Sequence, residues 1–366
     1  MSYEVEAPLE TQTPEFALLS GTVLAVQANY YWVRLDDPAA PAAELLCTRR
    51  TRLKKIGQQV MVGDRVQVEE PDWAGKRGAI ARVLPRHTEL DRPPIANVDQ
   101  ILLVFALEEP TLDPFQLSRF LVKAESTSLT VLLGLNKSDL ATPEAQAEWR
   151  DRLQTWGYEP VLLSLRSGMG LDQLHACLNQ QITVVSGPSG VGKSSLTNYL
   201  IPAVEQRIGE VSGKLSRGRH TTRHVELFEL PTGGLLADTP GFNQPDLNCA
   251  PIDLAQYFPE ARQRLAEATC QFSNCLHRDE PNCAVRGDWE RYEHYLVFLD
   301  EVIDHQTAIN RTGDAESTTK TMTSGDGQVR SEPKLASKKY RRPSRRTEKQ
   351  VLKDLCDDVE ELMAED

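Results

Sequence analysis

Five residues of unbroken β character, Ile182-Thr183-Val184-Val185-Ser186, run directly into Gly187-Pro188-Ser189-Gly190-Val191-Gly192-Lys193-Ser194-Ser195, and a helical stretch, Leu196–Ile201, follows. Strand, glycine loop and helix in that order constrain the fold more than any other feature. They demand a buried parallel strand feeding a helix whose N-terminus faces a ligand. The glycines let backbone N–H groups turn inward around phosphate oxygens, and the helix start adds partial positive charge. In such a loop Lys193 reaches the β- and γ-phosphates and the Ser194 hydroxyl ligates Mg²⁺. A turn that merely joins strand to helix is the bland reading. The full spacing ending in Gly-Lys-Ser makes it a minor one.

A second apolar run, Leu129–Leu135, ends in Asn136-Lys137-Ser138-Asp139. Ligands bind at that end of strands in open α/β sheets. The Asp139 carboxylate can accept from both the N1–H and the exocyclic amine of guanine, a donor pair that adenine lacks. Asn136 braces the loop and Lys137 packs over the base. Further on, Ser164-Leu165-Arg166 stands where guanine-binding proteins usually read Ser-Ala-Lys. Leu165 can still offer its backbone N–H to the guanine O6. Asp238-Thr239-Pro240-Gly241 follows the run Gly234–Ala237. Asp238 would hold Mg²⁺ through a water, and the Gly241 N–H would sense the γ-phosphate. Ordinarily the phosphate loop comes first and the guanine loops last. Here the guanine loops precede it, so the parts are complete but circularly permuted, an arrangement that survives folding when the old termini were close.

The surrounding pattern agrees. Gln100–Phe105, Leu129–Leu135, Pro160–Leu163, Ile182–Ser186 and Gly234–Ala237 alternate with helix-like Pro114–Glu125 and Pro143–Trp156. An α/β domain with a mostly parallel sheet is expected over residues 89–248. Before it, residues 16–88 carry short β-like runs, Leu18–Val26, Tyr31–Leu35, Leu45–Thr48, Gln59–Val68 and Ala79–Leu84, with turn residues such as Asp36-Asp37-Pro38, Val62-Gly63-Asp64 and Ala74-Gly75. Five strands in so short a span suit a small closed barrel of the OB type, with an SH3-like barrel as the alternative. Residues 1–15 read as a flexible leader. After the α/β domain, helix-like Ile252–Ala268, a Cys/His knot and helix-like Trp289–Asp304 make a third unit over 249–305. The remainder, 306–366, is rich in Ser, Thr, Lys and Gly and is expected to be mostly disordered. Within it, Thr347–Met363 has apolar residues at helical spacing.

The knot is Cys270-x4-Cys275-x-His277-x5-Cys283. Three thiolates and an imidazole make a closed tetrahedral set, the pattern of a structural zinc rather than a catalytic one. Cys47, Cys177, Cys249 and Cys356 lie apart and read as ordinary residues. With 366 residues and a net charge of −12, any nucleic-acid contact must use a local basic face. The N-terminal MSYEVEAPLE lacks the start of a secretion signal, and no apolar run reaches membrane-spanning length, so a cytoplasmic protein with no membrane partner is expected. The barrel region offers Arg49, Arg50, Arg52, Lys54, Lys55, Lys76 and Arg77, with Tyr30, Tyr31, Trp32 and Trp73. OB barrels bind single strands by stacking on aromatics in a basic groove, although a solvated loop over core aromatics reads the same way. The basic stretch Lys334–Arg346 could also touch phosphates.

Taken with the permuted motif order, Gly218-Arg219-His220-Thr221-Thr222, the run Asp238-Thr239-Pro240-Gly241-Phe242, the barrel and the Cys/His knot resemble the RsgA (YjeQ/EngC) family of small ribosomal subunit biogenesis GTPases over roughly residues 16–304. The resemblance implies an OB-fold, a circularly permuted P-loop GTPase domain and a helical zinc-binding domain. It implies GTP as substrate, Mg²⁺ and one structural Zn²⁺, the small ribosomal subunit and its rRNA as partners, and turnover stimulated by the ribosome. By the same resemblance Gly218–Thr222 is the first switch, with Thr221 or Thr222 ligating Mg²⁺. Phe242 stands where many GTPases place a water-orienting Gln. His220 is therefore the candidate to order the attacking water, with an RNA-contacting histidine the equal alternative; Lys193 and Thr222 complete the catalytic set. The rival functions are a P-loop ATPase or kinase, which Asp139 argues against, and a non-catalytic RNA-binding protein with a structural nucleotide site. No DNA partner is expected, and nothing demands more than a monomer.

Overall fold

Alternating side chains build the first strand of the barrel: β1 (Leu19–Gln27) sends Val23 into a core with Val33, Leu45, Val66, Val68 and Ile80, all without solvent exposure. The computed structural model describes residues 18–91, 94–201, 225–237, 246–312, 319–323 and 329–333. The expected leader, the switch Gly218–Thr222 with His220, Thr221 and Thr222, the run Asp238–Phe242 with Gly241, the basic stretch Lys334–Arg346 and the Thr347–Met363 segment all lie outside the described residues.

Strands β2 (Tyr30–Leu35), β3 (Glu44–Arg49), β4 (Arg65–Asp72) and β5 (Arg77–Val83) close the barrel in the order β1-β2-β3-β5-β4. β3 and β5 run parallel, and the short helix α1 (Thr51–Lys55) connects β3 to β4. That connectivity is OB-like, which sets the SH3-like alternative aside. The fourth strand is displaced from its expected place at Gln59–Val68. Gly63 sits at φ +85°, where an added Cβ would lie 2.0 Å from the Ala96 carbonyl oxygen. The buried Asp64 accepts the Met61 N–H at 2.8 Å, so the chain turns before Arg65.

This turn is also where the barrel is stitched to the segment leading into the α/β unit. β6 (Glu89–Asp91) and β7 (Pro94–Ala96) form a small hairpin, and Ile95 makes a parallel bridge to Val62. The buried Asn97 donates to the Gly63 carbonyl at 2.9 Å, and Arg86 donates to both Asp64 oxygens at 2.7 and 3.0 Å.

The α/β unit is a six-stranded sheet, ordered β10 (Pro160–Leu162), β9 (Thr130–Asn136), β8 (Gln100–Ala106), β11 (Ile182–Ser186), β13 (Leu235–Ala237) and β12 (Leu227–Glu229). All pairings are parallel except that of β12 at the edge, as a mostly parallel sheet requires. β8 is buried along its whole length because it serves two cores. Ile101, Leu103 and Phe105 face one, and Leu102, Val104 and Ala106 the other. Helices α2 (Pro114–Glu125) and α3 (Pro143–Thr155) start at Asp113 and Thr142. Each cap accepts a backbone N–H, and proline holds the first helical position. α4 (Leu171–Leu178) and α5 (Lys193–Leu200) complete this set.

The expected helix Ile252–Ala268 is two pieces, a 3₁₀ stretch Pro251–Tyr257 and an α-helix Pro259–Glu267. Pro259 forces the preceding Phe258 into extended backbone, φ −115° and ψ 112°. The last helix, Tyr292–Thr312, starts later than expected and runs past residue 306. Arg291, just before it, is fully buried. Its guanidinium pairs with Glu260 and lies over Trp156, Tyr158 and Phe258 at 4.8, 5.6 and 5.0 Å. Glu290 accepts from the Trp156 indole at 2.7 Å and from Arg152 at 2.5 Å, so the end of α3 is held against this C-terminal region. Residues to Val302 make one compact unit; a second begins at Ile303 and includes the hairpin of Thr319–Thr323 with Val329–Pro333. Among the described residues no helix is long and apolar enough to cross a membrane.

Candidate functional site

At the C-terminal ends of β9, β10 and β11 three loops meet. The loop after β11 turns at Gly187 (φ +141°), Gly190 (φ +84°) and Gly192 (φ +94°). The glycines at the two ends of the loop are fixed by neighbours as well as by torsion. A Cβ on Gly187 would lie 2.1 Å from the Val104 carbonyl oxygen, and one on Gly192 would lie 2.5 Å from Asn136 Nδ2. Gly192, which has no side chain to cap with, is the N-cap of α5, so the helix opens directly off the glycine loop. Val191 anchors the loop in the core at 1% exposure. Lys193 folds its ammonium across the loop to the Pro188 carbonyl at 2.5 Å, and Ser189, Ser194 and Ser195 lie at least partly open to solvent.

The Asn136–Asp139 loop is sewn directly onto this one. Buried Asn136 donates from Nδ2 to the Val191 carbonyl at 2.8 Å. Lys137, in left-handed backbone at φ +56°, sends its ammonium to the Gly190 carbonyl at 3.0 Å and to the Glu109 carbonyl. Ser138 is fully buried; its hydroxyl donates to Leu135 O at 2.7 Å and its N–H to Leu163 O at 3.0 Å. Asp139 comes next, exposed, in a 3₁₀ turn over Ser138–Leu140. The third loop begins at Ser164, also fully buried, whose hydroxyl accepts the Ser167 N–H at 3.1 Å; Leu165 is half-buried beside it. Asn136, Lys137, Ser138, Asp139, Ser164 and Leu165 are thus gathered with Gly187–Ser195. Asp238 would come next after β13. Two participants had no signal in the sequence: Glu109, which contributes only a backbone carbonyl, and Gln146 on α3, whose Nε2 donates to Ser138 O at 2.7 Å and Ala141 O at 3.2 Å.

A second cluster lies in the C-terminal region. The ligand atoms of Cys270, Cys275, His277 and Cys283 all fall within 4.8 Å of one another. His277 Nδ1 is 3.5 Å from Cys270 Sγ and 3.3 Å from Cys283 Sγ, and the two sulfurs are 3.9 Å apart. A tetrahedral Zn²⁺, with Zn–S of about 2.3 Å and Zn–N of about 2.0–2.1 Å, needs ligand atoms roughly 3.5–3.8 Å apart. The cluster fits that ion. Burial pushes the Cys275 thiol up to about 12 and the His277 imidazole down. A neutral His is what a metal needs, and so reluctant a thiol ionises only beside a cation. The Ala284 and Arg286 N–H groups point at Cys270 and Cys283 sulfurs at 3.4 and 3.3 Å. Glu280 organises the loop from within. Burial raises its pKa, but the Leu276, Arg278 and Asp279 N–H groups and its own outweigh burial and hold it at about 2.

On the barrel, Tyr30 and Trp32 project from one face of β2 at 52% and 36% exposure. Tyr31, between them, is 2% exposed and is a core residue, so it cannot stack on a base. Trp73 is half-buried against the same core. Arg50 is paired with Glu69 and Glu70, and Arg49 donates to Gln58 O at 2.9 Å. Arg52, Lys54, Lys55, Lys76 and Arg77 remain exposed.

Residues 83–248 match the model of the RsgA GTPase family. A curated relative in Trichormus variabilis, named Small ribosomal subunit biogenesis GTPase RsgA, is 64% identical over 362 residues, covering 93% of this chain and 98% of its own. The crystal structure of YjeQ from Thermotoga maritima superposes with a TM-score of 0.65 at 31% identity, over 78% of this chain and 99% of that one. That of YloQ, described as a circularly permuted GTPase, gives 0.66 at 29% identity, over 80% and 98%. The permuted motif order, the barrel and the Cys₃His cluster thus coincide with homology along most of the sequence, and the chain belongs to the RsgA GTPase family.

Proposed function

We propose that this protein binds GTP at the three joined loops, hydrolyses it, and uses the cycle to assist late maturation of the small ribosomal subunit. The observation that carries the nucleotide assignment is the seam between loops: Asn136 on the Val191 carbonyl and Lys137 on the Gly190 carbonyl. A base-reading loop and a phosphate loop sewn together in this way can hold the two ends of one nucleotide. Asp139 accepts from guanine, the Leu165 N–H meets O6, and the backbone from Gly187 to Ser195 with Lys193 cradles the phosphates. Mg²⁺, when bound, neutralises charge on the phosphates; Ser194, Asp238 and Thr221 or Thr222 would hold it. His220 orders the attacking water, and the Gly241 N–H senses the γ-phosphate.

The domains divide as 16–88 for rRNA contact, 89–248 for the nucleotide and 249–305 for zinc. Zinc held by Cys270, Cys275, His277 and Cys283 is structural, since four protein ligands leave no open position. The GTP form docks on the small subunit through its rRNA, with Tyr30, Trp32 and the exposed cations of the barrel at the contact; hydrolysis releases it. The protein acts as a cytoplasmic monomer without membrane or DNA partners. The relative's printed name, a small ribosomal subunit biogenesis GTPase, supports the partner. The test is GTP hydrolysis with and without purified small subunits, with ATP as control. Strong, GTP-selective stimulation is expected. Unstimulated hydrolysis removes the ribosomal partner, and equal use of ATP removes the assignment of Asp139.

A further inference from the structure

The guanine-reading turn is unusually well restrained for so short an element. Ser138 is held by its hydroxyl to β9 at Leu135 and by its N–H to the end of β10 at Leu163. The third restraint comes from a different direction. Gln146, half-buried on the first turn of α3, forks its carboxamide N–H groups onto Ser138 O at 2.7 Å and Ala141 O at 3.2 Å. These two carbonyls bracket Asp139 and Leu140. The turn's own bonds, Leu140 N–H to Lys137 O at 3.0 Å and Ala141 N–H to Ser138 O at 3.2 Å, are a single 3₁₀ turn that does not hold its shape alone. α3 is in turn fixed at its N-terminus by the Thr142 cap.

We propose that Gln146 is a positioning residue for guanine selectivity: it sets the angle at which the Ser138–Leu140 turn presents the Asp139 carboxylate to the base. The inference rests on Asp139 as the guanine acceptor. Two parallel hydrogen bonds from N1–H and the exocyclic amine need both carboxylate oxygens in the plane of the base. A turn free to tilt keeps one bond at the expense of the other. Hypoxanthine has N1–H but no exocyclic amine, so an inosine nucleotide has only the single bond to lose. Loosening the turn therefore erodes the preference for GTP over ITP rather than weakening both equally.

The test is equilibrium binding of GTP and ITP to the full-length, zinc-loaded protein by calorimetry. Gln146→Ala is expected to shrink the GTP-to-ITP affinity ratio several-fold, up to about tenfold, the scale of one weakened charge-assisted hydrogen bond. Gln146→Glu, which sets a carboxylate against two carbonyls, shrinks it further. Gln146→Lys retains donors and keeps the ratio near wild type, and it serves if the alanine variant folds poorly. An unchanged ratio in folded Gln146→Ala, or an equal loss in the lysine variant, overturns the role of Gln146. Asp139→Asn in the same assay separates the two layers. If it leaves the ratio intact, the guanine assignment itself fails and this inference with it. If it collapses the ratio while Gln146→Ala does not, only the positioning role is lost.

Discussion

Replacing Arg291 by Met keeps the length of the side chain and removes its charge. Arg291 has no exposure, Glu260 opposite it is only 11% exposed, and three aromatic rings surround the guanidinium within 4.8–5.6 Å. Arg291 Nη1 meets no acceptor among the described residues, in keeping with a cation held partly by ring faces. The substitution leaves the Glu260 carboxylate buried without a counter-charge, a class of change that costs about 3–5 kcal/mol. For a chain of this size that corresponds to roughly 4–7 °C of melting temperature. The double variant Arg291→Met with Glu260→Gln removes the stranded charge and should recover at least half of the loss. Urea unfolding followed by tryptophan fluorescence suits the measurement, because Trp156 lies beneath the guanidinium. The cycle yields a coupling energy of about 2 kcal/mol or more. A single variant that loses less than about 1 kcal/mol, or a double variant no better than the single, would refute the view that this buried ion pair, lying over Trp156, stabilises the C-terminal region.

Chelation should remove one zinc per chain and unfold the Cys270–Cys283 loop while the barrel persists; far-ultraviolet circular dichroism and metal analysis check this together. Glu280→Gln should lower the stability of the same loop at neutral pH. Folding lowers this carboxyl from 4.5 to about 2, so its contribution is complete above pH 4.5 and fades as pH falls toward 2; a pH series of wild type against variant reads it. Trp32→Ala should weaken binding to small-subunit rRNA by about 1–3 kcal/mol with the barrel intact, whereas Tyr31→Ala should destabilise the barrel, as filter binding and thermal melting distinguish. Asn136→Ala opens the seam to Val191 and should weaken GTP binding at least tenfold, read by calorimetry.

The glycine loop after β11, the Asn136–Asp139 loop beside it and the Cys₃His cluster were legible because each rests on particular residue types at short spacing. Strand placement was legible where a continuous apolar run serves two cores, as in β8. At Gln59–Val68 the turn at Val62-Gly63-Asp64 was legible but the β-like run continues through it; the strand starts only at Arg65, because Gly63 lies against Ala96, far along the chain, and the Asp64 side chain holds the turn. The split of Ile252–Ala268 was available in principle, since Pro259 disfavours helix at Phe258. Tyr31 reads as a stacking aromatic only until period-2 alternation places it inward between Tyr30 and Trp32. Arg291 and Gln146 carry no local mark at all. Their meaning depends on partners brought near by folding, Trp156 and Glu260 for one and the Ser138 carbonyl for the other.

The strand order β10-β9-β8-β11-β13-β12 also has a consequence for synthesis. Chain growth delivers β8, β9 and β10 in sequence, and these three are neighbours that pair as they emerge. The free edge of β8, apolar from Ile101 to Ala106, then waits for Thr183–Ser186, which must dock beside it after α4 has been made. The half that carries the Asn136–Asp139 loop is therefore assembled before the glycine loop of Gly187–Gly192 exists. The nascent chain carries an unpaired hydrophobic edge at β8 until β11 emerges, and then at β11 until β13 docks beside it. The exposed interval at β8 falls in mid-chain, so a product truncated before Ile182 ends with this apolar edge uncovered.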